Sequence, residues 1–104
     1  MSQTFEVEWA NGKCEKIELG GLRRMQLLWQ PLASELGLKH LSMCDSFVVV
    51  DPCEIDLFAL EVGIFGSEFT RRYPNDDETP QLIKRLQELV EKLRRNSGWT
   101  ASIG

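Results

Sequence analysis

The stretch "TFEVEWANGKCEKIEL", residues 4–19, constrains the fold more than any other part of the chain. Phe5, Val7 and Trp9 alternate with Glu6 and Glu8, the period of a strand with one wet face. Asn11-Gly12 follows, the strongest short-range hairpin signal. The need to bury one face then selects the register. A two-residue loop sets Phe5 opposite Glu18 and Val7 opposite Lys16, apolar against charged. A three-residue loop, Ala10-Asn11-Gly12, sets Phe5 opposite Ile17 and Trp9 opposite Lys13, with Gly12 in the left-handed conformation that such loops need. The second register gathers Phe5, Val7, Ile17 and Leu19 on one face and turns Cys14 to the other, beside Glu8 and Lys16.

Gly20-Gly21 closes the second strand. Leu22, Met25, Trp29, Leu32 and Leu36 then recur at spacings of three and four, an amphipathic helix with one apolar stripe. Pro31 lies inside it and predicts a kink, or a break near Gln30, because proline cannot donate and clashes with the preceding turn. Gly37 is the expected stop. "SFVVVD", residues 46–51, reads as a strand buried on both faces.

Residues 51–65 carry two patterns. Asp51-Pro52-Cys53-Glu54 has the order of a helix start, with Asp as cap, Pro first and Glu third. Ile55, Leu57 and Ala59 alternate with polar or aromatic neighbours, the order of a strand. The expectation drawn is a turn at Asp51-Pro52 and a strand over 57–65. A loop with Pro74 and Pro80 follows. Thr79 is expected to cap a last helix, with Leu82, Leu86, Leu89 and Leu93 as its core stripe and Glu88–Lys92 as a surface pair. Asn96-Ser97-Gly98 stops it, and residues 97–104 read as a tail. The chain of 104 residues is then one α+β domain. It has two layers, an antiparallel sheet of about four strands in the order β-β-α-β-β-α, with two helices on one face.

Chemistry is scarce. His40 is the only histidine, and Cys44 and Cys53 lie near it in sequence. With Cys14 they form a tetrahedral donor set for zinc by type, but no two cysteines stand two to four residues apart as structural zinc sites require. For thiol catalysis His40 would be the base and Cys44 or Cys53 the nucleophile. Residues 41–70 hold six acids and no Lys or Arg, which raises a thiol pKa rather than lowering it. Neither a phosphate-binding glycine loop nor a hydrolase or zinc-protease motif is present, and no cofactor is expected.

Twelve basic against sixteen acidic side chains leave a net charge of −4, which argues against a nucleic-acid partner. No apolar run suits a signal peptide or a membrane helix. Three cysteines cannot all pair within one chain, so a cytoplasmic setting is expected. The function expected from the sequence is therefore a non-enzymatic interaction or regulatory domain. An acidic inhibitor of the immunity-protein type, binding a basic partner through Asp51, Glu54, Asp56 and Glu61, is the sharpest form of it. Trp99, beyond the last helix, either packs back or offers an aromatic anchor to that partner. A homodimer would bury helix surface beyond what one sheet face covers. The alternative is a small thiol-dependent enzyme or metal-binding protein using His40, Cys44 and Cys53.

Overall fold

The computed structural model describes residues 2–104. Strands β1 (Ser2–Glu8) and β2 (Cys14–Gly21) form the hairpin in the three-residue-loop register, with Phe5 opposite Ile17. Trp9 N–H donates to Lys13 O at 2.8 Å, and Gly12 takes φ +86°. Asn11 Oδ1 accepts the Lys13 N–H at 3.0 Å, so the loop satisfies its own backbone. Phe5, Val7, Ile17 and Leu19 are buried on one face, and Cys14 is exposed on the other.

The first helix, α1 (residues 22–35), keeps its stripe inward through Met25, Trp29 and Leu32. Pro31 acts one turn earlier than itself. Residues Met25–Trp29 form a widened π turn, in which Gln30 N–H reaches Met25 O, and the α-helix resumes at Gln30. A missing donor is absorbed by widening the turn rather than by breaking the helix. Gly37, at φ +71°, ends the run.

The middle of the chain departs from expectation. Strand β3 is only Val48–Val50 and lies at a sheet edge, so it is not buried on both faces: Val49 is 49% exposed. A short 3-10 turn (Pro52–Glu54) then leads into an 18-residue helix, α2 (Ile55–Arg72), where a strand over 57–65 was expected. Its buried side chains are Ile55, Phe58, Glu61, Val62, Phe65 and Phe69, a helical period. The Ile55-Leu57-Ala59 alternation is a short coincidence inside that longer repeat.

Helix α3 (Glu78–Arg94) buries Leu82, Leu86, Leu89 and Leu93 as expected. Its cap is Asp76 rather than Thr79: Asp76 Oδ1 accepts the N–H groups of Glu78 and Thr79 at 3.1 and 2.9 Å. Thr79 is buried, with its hydroxyl 2.6 Å from Arg24, which also grips Asp76. Lys92 does not pair with Glu88 but crosses to Glu15 on β2 at 3.0 Å.

The expected tail supplies the fourth strand, β4 (Thr100–Ile103). It slots between β1 and β3 to give an antiparallel sheet ordered β2-β1-β4-β3. Ala101 and Ile103 face the core while Thr100 and Ser102 face out, the two-residue period of a strand. The fold is thus α+β, with three helices over one sheet face and the order β-β-α-β-α-α-β. No helix among the described residues is long and apolar enough to cross a membrane.

Candidate functional site

His40 sits in the connection between α1 and β3, where the chain coils into a 3-10 turn at Leu41–Met43. Glu61, on the inner face of α2, reaches it. Glu61 Oε1 accepts the backbone N–H groups of His40 (2.8 Å) and Leu41 (3.0 Å), and Oε2 lies 2.5 Å from His40 Nδ1. A carboxylate facing Nδ1 holds the proton on that nitrogen. The other ring nitrogen, Nε2, is enclosed without a hydrogen bond, 3.5 Å from Glu54 Oε1. The imidazole stands edge-on to Phe58, 5.6 Å between ring centres. His40 is 1% and Glu61 2% exposed, so no substrate reaches either group. The cluster ties a loop to a helix: one carboxylate satisfies three buried donors that the loop cannot satisfy itself.

The sulfur atoms do not join it. Cys44 is fully buried in the core, and burial, aided by Asp45, pushes its thiol up to about 12. At neutral pH it is a neutral thiol and a poor nucleophile. Cys53 is exposed on the turn before α2, and Cys14 is exposed on β2. The ring nitrogens of His40 are turned to Glu61 and Glu54 rather than to any cysteine. Among the described residues, no three His, Cys, Asp or Glu side chains converge as a metal site would need.

The acidic surface expected from residues 51–61 also comes apart. Asp51 is exposed. Glu54 is held by Lys39, whose ammonium keeps the carboxyl below the usual Glu range, and Asp56 pairs with Arg94 at 2.9 Å. Glu61 points inward and belongs to the cluster above, because only an acceptor there can serve the donors of His40 and Leu41. Trp99 is 3% exposed, and its Nε1–H donates to Leu93 O and Asn96 O at 2.9 and 3.1 Å. It locks the end of α3 to the start of β4 and is not available to a partner.

What stands open instead is the outer sheet face. Phe47, 64% exposed and just ahead of edge strand β3, and Val49 within it stand on this face. Glu6 and Glu8 project from the same face of β1, two strands away. Between them β4 presents only the side chains of Thr100 and Ser102, with Ala101 turned to the core, and this low floor leaves a depression of about 310 Å³. Glu6 has a long, solvated contact of 3.7 Å to Lys16, worth little. Glu8 makes no ion pair among the described residues. The glutamates were legible as a wet strand face. Phe47 and Val49 were not, because only the sheet order puts β3 at an edge. No protein-family model, no characterised protein and no solved structure matches this chain.

Proposed function

We propose that this chain is a non-enzymatic protein-interaction module that seats a basic, partly apolar segment of another protein on its outer sheet face. One observation carries the reading: an apolar wall, Phe47 and Val49, faces an acidic wall, Glu6 and Glu8, across a floor of small side chains on β4. That spacing suits Lys or Arg. Their aliphatic stems lie along apolar surface while the charged head reaches a carboxylate. The net charge of −4 adds a long-range field that draws in a cationic partner. An inhibitory or regulatory role is the natural use of such a surface, since occupying a basic patch of a partner blocks it. Three free thiols suit a reducing compartment, the cytoplasm. No observation favours the alternative based on His40, Cys44 and Cys53, whose groups are enclosed or apart.

The test is capture from the native host at low salt, with the wild type beside a Glu6→Lys/Glu8→Lys variant and a Phe47→Ser variant. A basic partner held by the wild type, lost by both variants and binding more slowly as salt rises supports the reading. Equal capture by the charge variant, or an association rate indifferent to salt, ends it.

A further inference from the structure

The two edges of the sheet are built differently. Strand β2, at one edge, is guarded in the ways that keep a strand from pairing with strangers. It carries Glu15, Lys16 and Glu18, Lys92 reaches across to it from α3, and a register shift at Gln3/Thr4 interrupts its pairing with β1. Strand β3, at the other edge, has none of these devices beyond being short. It is three valines, with no charge, no proline and an unbroken register against β4.

The alternation of backbone bonds decides what this edge offers. Thr4 and Gly104 exchange both of theirs, at 2.9 and 3.0 Å. Ser102 and Thr100, two and four residues back, therefore bond to β1, and Ala101 and Ile103 bond to β3. Their partners, Val50 and Val48, turn their backbone groups into the sheet, so Val49 turns its N–H and C=O out. Among the described residues, nothing in the chain takes up the backbone groups of Val49, nor those of Phe47 two residues earlier.

Charge decides what fits there. Asp45 and Asp51 bracket the edge, and neither makes an ion pair among the described residues. Lys39, which feels the Asp51 charge, is bonded to Glu54, and residues 41–70 hold no Lys or Arg. A second copy is the wrong occupant. Its own β3 is bracketed by the same two acids, so pairing β3 with β3 gathers four carboxylates along one edge with no cation among them.

We propose that β3 is a docking edge: an extended segment of another protein, with alternating β-branched residues between a Lys or Arg at each end, adds to it as a fifth, antiparallel strand. Main-chain bonds hold such a segment and its alternate side chains select it. Antiparallel pairing suits so short an edge, because both outward groups of Val49 then bond to one opposite residue. Alternate side chains of the incoming strand lie beside Phe47 and Val49 on the outer face, and its two cations meet Asp51 and Asp45. This goes beyond the sheet-face reading and uses different acids. An added strand stands three strand spacings, about 14 Å, from the Glu6 and Glu8 strand.

The probe is the capped peptide Lys-Thr-Val-Thr-Val-Thr-Lys, titrated into the isotope-labelled intact chain in about 150 mM salt and followed by amide NMR. Laid antiparallel, its valines fall beside Val49 and Phe47 and its first lysine beside Asp51. Saturable binding with a dissociation constant below about 1 mM is expected, with slowed exchange of the Val49 N–H. No saturation by that concentration overturns the proposal. N-methylation of the first valine removes the donor to Val49 O and drives a methyl into the edge, so affinity should fall at least about 10-fold. Equal binding of the methylated peptide overturns the strand pairing. Asp45→Asn/Asp51→Asn should weaken binding about 3-fold or more and flatten its salt dependence, and an unchanged salt dependence overturns the choice of a basic partner. Glu6→Gln/Glu8→Gln should bind the peptide within about 2-fold of the wild type. A 10-fold loss there would seat the peptide on the open face instead and overturn the edge. Protection of the Val49 N–H in the free chain that grows with protein concentration would make a second copy the occupant, and overturns the proposal too. The readout is the edge amide, so failure here leaves the sheet-face reading to its own capture test.

Discussion

Two polar groups of this molecule use the same chemistry to opposite ends. Around Glu61, a carboxylate, an imidazole and two backbone N–H groups are sealed among Phe58 and the surrounding core. On the outer sheet face, Glu6 and Glu8 stand in water beside Phe47 and Val49. In the first, each donor has an acceptor it could not replace, and the result is rigidity. In the second, the carboxylates leave acceptor capacity unspent, and the result is a surface open to water. Accessibility, not residue type, separates the structural acid from the solvated one.

The sharpest break between the two regions should be kinetic. In the folded protein Cys14, exposed on the outer face, should react readily with a thiol reagent. Cys44 should react at least about 1,000-fold more slowly, since its pKa near 12 against an ordinary value of about 8.5 depletes the thiolate before shielding is counted. Mass spectrometry of partly labelled protein checks this, and comparable rates would mean the core opens freely.

In stability, Glu61→Ala should cost about 3–5 kcal/mol in urea melts, because it strands three buried donors. Glu61→Gln, which keeps an acceptor for the backbone N–H groups, should cost less. A loss under about 1 kcal/mol for the alanine variant would show that water replaces the carboxylate, and would erase the contrast with the outer face.

Asp76 lies between the extremes. Burial would raise its carboxyl, but the N–H of Thr79, the Arg24 guanidinium and the N–H of Glu78 outweigh that and hold it below the usual Asp range. Asp76→Ala should cost about 1–2 kcal/mol, the worth of a helix cap. The pH sign follows from the depressed value: the stabilisation is complete above the unfolded Asp pKa of about 3.9 and is lost as pH falls through the lower folded value. The wild type and Asp76→Ala should therefore converge in stability on acidification below about pH 4, and a constant gap down to pH 2 would exclude this role.

The smallest effect belongs to the outer face. Glu8→Lys should change stability by less than about 0.5 kcal/mol, since nothing in the fold leans on that carboxylate. A loss comparable to that of Asp76→Ala would make it a structural acid after all.

The hairpin register was legible from Thr4 to Glu8, though not the shift between Gln3 and Thr4, because it follows from neighbours in sequence: Gly12 can take a positive φ, and the apolar alternation selects one pairing. The stripes of α1 and α3 were legible for the same reason, as was the α+β class. Helix α2 was not. Ile55-Leu57-Ala59 imitates a strand over five residues, and the four-three-four spacing of Phe58, Val62, Phe65 and Phe69 emerges only over a longer window. The arrangement of the surface acids was hidden for a related reason. The acids counted along residues 51–61 are close in sequence, but the helix turns Glu61 inward while Asp56 stays out.

Local backbone chemistry, read from the chain alone, decided where the N-terminal turn falls, which strand face is greasy and where Gly37 stops a helix. Packing decided the rest. A four-residue segment such as Thr100–Ile103 has too little periodicity to declare itself, and becomes a strand because β1 and β3 offer it unpaired backbone groups on both sides. Whether Phe47 or Trp99 meets water depends on that insertion, an arrangement of distant residues that no local pattern encodes.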